Sequence, residues 1–154
     1  MLTNSEIMDI SSKAKVHFFS QDIRPSLKNT TLLKHFIELI FKQERQGLSS
    51  INYIFCSDKA ILEINKKYLN HNFYTDVITF NLSPNSKSIT AEVYISFERV
   101  KDNAKKLGIS IKSEFHRVIF HAALHLCGYN DKKKKDIEIM RKKEDALLSS
   151  YFKS

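Results

Sequence analysis

His121 and His125 stand four residues apart, a spacing that on a helix puts both side chains on one face with Cβ atoms about 5–6 Å apart. Two ring nitrogens can then meet one ion. Gly128 can take the left-handed conformation that ends a helix and turns the chain back toward its last turn, which brings Asp131 near the histidines. Two histidines and a carboxylate form a catalytic zinc arrangement, with a fourth position left for water whose pKa falls to roughly 7 on binding. The expectation is one Zn(2+) per chain, held by His121, His125 and Asp131 as ligands and catalytic residues. The histidine pair alone also fits two satisfied polar residues at a helix edge; Gly128 and Asp131 tip the balance to metal. A zinc protease would place a glutamate directly after the first histidine as general base. Here that position is Ala122.

The run His121-Ala-Ala-Leu-His125-Leu-Cys-Gly128-Tyr-Asn-Asp131 resembles the signature of the YbeY family of bacterial endoribonucleases, His-Gly-x-Leu-His-Leu-x-Gly-Tyr-Asp-His. Ala122 replaces the glycine and Asp131 the third histidine. Aspartate still ligates zinc through oxygen at about 2.0–2.2 Å, so the change bears on affinity and metal preference. The resemblance continues through Asn65-Lys-Lys-Tyr68, Thr75-Asp-Val-Ile-Thr-Phe80 and Glu92-Val-Tyr-Ile-Ser96, and covers residues 16 to 148. It implies an α+β fold, with a small four-stranded mixed sheet packed with about five helices and a zincin-like metal helix. It implies a zinc-dependent endoribonuclease specific for single strands, acting in 3′-end maturation of 16S ribosomal RNA and in ribosome quality control. Its partners would be precursor rRNA and the ribosome or ribosomal proteins. The family also has an arginine after the aromatic residue matching Tyr68, engaging RNA phosphate. Here it is Leu69, and Lys66, Lys67 or His71 would have to supply the cation, although lysine is a point charge where arginine is a bidentate fork.

A chain of 154 residues fits one domain, residues 1–154, with residues 1–14 a polar lead-in without periodicity. Cys56 and Cys127 are far apart, in apolar contexts and without Cys-x-x-Cys pairing, which reads as reduced core thiols of a cytoplasmic protein. The N-terminus lacks the basic and apolar regions of a signal peptide, and no window approaches eighteen apolar residues. A net charge of +8 argues for an anionic partner such as RNA, with solubility the plainer explanation.

The elements that position the histidines follow from periodicity. Strands are expected at 16–19, 51–56, 75–80 and 91–96, from short apolar or alternating runs rich in β-formers. An amphipathic helix runs from Thr31 through Leu33, Ile37 and Phe41 to an end near Gly47, with His35 and Glu38 on its wet face. Ser57 or Asp58 caps a helix burying Ile61, Leu62 and Ile64, and Ser96 caps one that Gly108 ends. From Ile111, the stripe Phe115, Val118, Ile119, Ala122 and Leu126 seats the histidine helix on the core. A last helix, 134–149, buries Ile137, Met140 and Leu147 or Leu148, and its Glu144 and Asp145 are candidate acceptors for the imidazoles or partners for surface lysines. Phe73 and Tyr74 read as core aromatics, with base stacking the alternative.

Lys132, Lys133, Lys134 and Lys135 follow Asp131 directly, where they oppose the dipole of the helix they open. A phosphate track is the sharper reading and a solvated face the blander one. Two rivals to the nuclease are a zinc-dependent peptidase-like hydrolase and a non-catalytic ribosome or RNA-binding factor with a structural metal, closed by a fourth ligand such as Cys127. If the lysines track phosphate, changing all four to serine flattens the salt dependence of RNA binding. An unchanged slope removes that role.

Overall fold

Alternation builds the sheet: in β2 (Gly47–Cys56) Ile51, Tyr53 and Phe55 are buried, and in β4 (Ser88–Ser96) so are Ala91, Val93 and Ile95. In a computed structural model, which describes residues 14–72 and 74–153, β2 pairs parallel with β1 (Val16–Ser20) on one side and with β4 on the other. β3 (Val77–Asn81) closes the row antiparallel to β4, in the order β1-β2-β4-β3. Five helices complete the described residues: α1 (Thr30–Gln43), α2 (Asp58–Leu69), α3 (Phe97–Leu107), α4 (Ile111–Leu126) and α5 (Lys134–Lys153). The expected α+β architecture with a four-stranded mixed sheet is what the chain adopts.

The helices divide by face. Ile61 of α2 packs with Cys56 and Ile78 in a small cluster, while α1, α4 and α5 enclose the main core on the sheet. α4 is apolar well beyond a single stripe: Phe115, Val118, Ile119, Phe120, Ala122, Ala123 and Leu124 are all buried, so it is a central helix wedged between sheet and helices. Tyr53 donates its buried hydroxyl to the Ile119 carbonyl at 2.9 Å, tying the middle strand to the middle of α4.

Several expectations shift in detail. The first helix stops at Gln43, and Gly47 instead opens β2. A Cβ at Gly47 would lie 2.4 Å from the Lys87 carbonyl oxygen, so this glycine permits the close approach of β4. Both strands of the β2–β4 ladder therefore start earlier than the expected 51 and 91, and end at 56 and 96 as expected. Ser57 and Ser96 do cap α2 and α3, accepting from the Ala60 and Arg99 amides. Asn65 shares the buried face of α2 with Ile61, while Leu62 and Ile64 are half-buried. Ile137 is 47% exposed, and Met140, Glu144, Leu148 and Tyr151 form the inward face of α5, which continues to Lys153. Tyr74 is exposed, with the Arg99 guanidinium over its ring, because this connection runs outside the sheet; Phe73 and the lead-in through Lys13 lie outside the described residues. Tyr53→Phe should cost about 1 kcal/mol, about 2–4 °C in Tm, read by denaturant and thermal unfolding. Unaltered stability would contradict the tie between β2 and α4.

Candidate metal centre

α4 ends as its sequence requires. Gly128, at φ +104°, donates to the His125 carbonyl, and Tyr129 donates to the Leu124 carbonyl, the paired bonds by which a left-handed glycine closes a helix. The returning chain is pinned by the Tyr129 hydroxyl, which donates to Glu44, the residue that caps α1, and by Lys143 of α5, whose Nζ lies 2.9 Å from the same carboxylate. Asp131 then meets the first histidine: its Oδ2 is 3.2 Å from His121 Nε2.

Both histidines are held from behind. His121 Nδ1 lies 2.6 Å from Glu144 Oε2, and His125 Nδ1 lies 3.1 Å from the Tyr129 carbonyl. A carbonyl only accepts, so His125 carries its hydrogen on Nδ1 and presents an Nε2 lone pair when neutral. Histidines that ligate metal are commonly oriented in this way, by a carboxylate or carbonyl on the other nitrogen. For His121 the consequence is sharper: with Nδ1 donating to Glu144, Nε2 and Asp131 Oδ2 face each other as two acceptors unless a proton or cation lies between. Two ligands bound to one tetrahedral zinc sit about 3.3 Å apart, given bonds of about 2.0–2.1 Å. Their spacing here fits that edge. Burial opposes the charged form of His121, but the hydrogen bond and charge of Glu144, with the charges of Asp131 and Asp76, prevail and hold the imidazole above its ordinary value.

The expected triad is assembled in two of its three members. His125 is exposed near the helix end, and among the described residues no three His, Cys, Asp or Glu side chains are gathered closely enough to hold a metal as they stand. Cys127 packs against the main core and does not line the cavity at His121, and its thiol is pushed up to about 12 by burial first and the Glu44 charge second.

His121 and Asp131 line a cavity of about 330 Å³ with Asp76, Glu114, Glu144, Arg117 and Arg141. Four carboxylates against two guanidiniums make it anionic, in a chain whose net charge is +8. Of these, Glu144 was foreseen as an imidazole partner; Asp145 instead pairs with Arg117 at 2.6 Å, rather than with a lysine. Asp76, Glu114, Arg117 and Arg141 belong to the cavity without being among the expected site residues. Glu114, Arg117 and His121 are nonetheless a polar strip at spacings of three and four along an otherwise apolar helix, which is a usable signal. None of the proposed RNA-contacting cations lines this cavity. Lys66 and Lys67 end α2, with Lys67 Nζ 5.2 Å from the Tyr68 ring centre, and His71 lines a separate hollow beside β3. Lys132 to Lys135 are exposed next to Asp131.

Glu114 is 5% exposed and its Oε1 has no hydrogen-bond partner among the described residues. Burial, then the charge of Asp76, raises its carboxyl above the usual range despite Arg117. Its ionised form therefore destabilises the fold above that raised value, and the cost fades as falling pH protonates it. Glu114→Gln should stabilise the protein by about 1 kcal/mol near pH 8, a gain that shrinks toward about pH 4 in thermal scans. A gain independent of pH would contradict the assignment.

Residues 16–152 match the sequence model of the family Endoribonuclease YbeY. An endoribonuclease YbeY of Cytophaga hutchinsonii is 42% identical over 134 residues, covering 87% of this chain and 94% of that one. Another, of Amoebophilus asiaticus, is 43% identical over 136 residues, covering 88% and 92%. The solution structure of TM1509 from Thermotoga maritima shares the fold at a TM-score of 0.60 and 25% identity, over 89% of each chain. With the family pattern running through the strands, the histidine helix and the helix that backs it, the chain belongs to the endoribonuclease YbeY family.

Proposed function

We propose that this protein is a zinc-dependent endoribonuclease that cuts single-stranded RNA, acting in 3′-end maturation of 16S ribosomal RNA and in ribosome quality control in the cytoplasm. Family membership supports the nuclease activity and its place in rRNA processing. The observation that carries the metal is the 3.2 Å approach of His121 Nε2 and Asp131 Oδ2, with His121 backed by Glu144. His121, Asp131 and His125 would hold the ion, in a zincin-like setting on the last turns of α4. Bound there, zinc supplies Lewis acidity that polarises a phosphoryl oxygen and brings the pKa of water to about 7.

The chain's own residues do the rest. Glu144 keeps the Nδ1 hydrogen of His121 in place, so Nε2 stays available as a ligand. Arg117 holds Glu144 in turn, through Nη1 at 3.0 Å from Oε1, and anchors its other nitrogen on Asp145. Asp76 and Glu114 add negative potential that favours a cation over bare phosphate. The peptidase alternative would need a base other than Ala122, which is fully buried, and family membership supports the nuclease instead. A closed structural site finds no support at Cys127, which faces the core. No helix among the described residues is long and apolar enough to cross a membrane. RNA is the proposed partner, with the ribosome or its proteins delivering it.

Purified protein should carry about one zinc per chain by elemental analysis, as a single site implies. His121→Ala should release it and abolish cleavage of a single-stranded RNA, while Glu144→Gln should weaken zinc affinity about 10–100-fold. Full zinc in His121→Ala would overturn the assignment.

A further inference from the structure

The cavity at His121 poses an electrostatic problem for a phosphodiester. Asp76, Glu114, Asp131 and Glu144 line it, and of its two guanidiniums Arg117 is committed. Its side chain is 16% exposed, with one nitrogen on Glu144 and another on Asp145. Arg141 differs. Its side chain is 56% exposed, and Nη1 lies 3.8 Å from Glu144 Oε1, beyond hydrogen-bond reach. No other hydrogen bond or ion pair engages it among the described residues, so its donors are free while its charge sits one carboxylate away from His121.

We propose that Arg141 is the residue with which this chain binds the substrate phosphate at the metal centre. This rests on the nuclease reading above. A guanidinium offers two parallel N–H donors matched to phosphate oxygens, which no lysine reproduces. Its place on α5, next to buried Met140 and one turn before Glu144, gives the fork a rigid base at the rim. Lys66, Lys67, His71 and Lys132 to Lys135 are outside the lining, so they can attract the strand but do not share this position.

The test compares wild type, Arg141→Ala and Arg141→Lys, each checked for zinc content and Tm. Binding of an uncleavable 2′-O-methyl single-stranded oligonucleotide is measured across salt, together with kcat/KM on the RNA of the same sequence. Arg141→Ala should keep its zinc, lose about 10–100-fold in kcat/KM, and flatten the salt slope by about 0.7, the value for one phosphate contact on a single strand. Arg141→Lys should restore the slope but only part of kcat/KM, since it regains the charge without the fork. Wild-type slope and kcat/KM in Arg141→Ala would overturn the proposal and leave the nuclease reading standing. Loss of zinc in that variant would also overturn it, because Arg141 would then act by supporting Glu144. A wild-type protein that holds zinc but neither binds nor cuts RNA would remove the nuclease reading, and this proposal with it.

Discussion

The contact between His121 Nδ1 and Glu144 Oε2 joins the two helices on which the site stands. α4 supplies the histidines from the centre of the core, and α5 supplies the carboxylate that fixes which nitrogen of His121 faces outward. Burial disfavours the protonated imidazole; Glu144 reverses that balance. The contact is itself held by Arg117, so a buried carboxylate that would be costly alone is paired on one oxygen and hydrogen-bonded on the other.

The turn after α4 is the second half of the same device. Gly128 reverses the chain, Tyr129 and Lys143 clamp the reversal to Glu44 at the C-terminal cap of α1, and the Tyr129 carbonyl thereby receives His125. Three helices thus determine where Asp131 arrives. The outcome is an acidic pocket within a basic protein: the overall charge of +8 favours approach of a polyanion, while the proposed metal would sit among the pocket's carboxylates. Under the proposed function, separating the two potentials would let one small domain attract RNA and still hold metal where the strand is cut.

What could be read in advance was what depends on neighbours in the chain. The 3.6-residue stripe of α4, the serine caps of α2 and α3 and the alternation of β2 and β4 are local patterns, and each was legible. So was the approach of Asp131, because a glycine-terminated helix turns back within a few residues. Gly47 misled because its reason is a carbonyl forty residues away, on the strand beside it. Ile137 misled because α5 presents Met140 and Glu144 inward and leaves that side open to the cavity. Asp76, just before β3, and Arg141 of α5 reach the histidine helix only once the sheet and helices are packed, so no spacing along the chain announces them. His125 is the reverse case: legible by spacing, yet turned to the Tyr129 carbonyl at the exposed end of its helix.

In the proposed site one cation lies between His121 and Asp131. Anomalous diffraction at the zinc edge, from crystals of the protein grown with zinc, tests it most directly. A single strong peak about 2.0–2.2 Å from both His121 Nε2 and an Asp131 carboxylate oxygen is the predicted result. A zinc-soaked crystal with His121 and Asp131 ordered and no peak between them would contradict it.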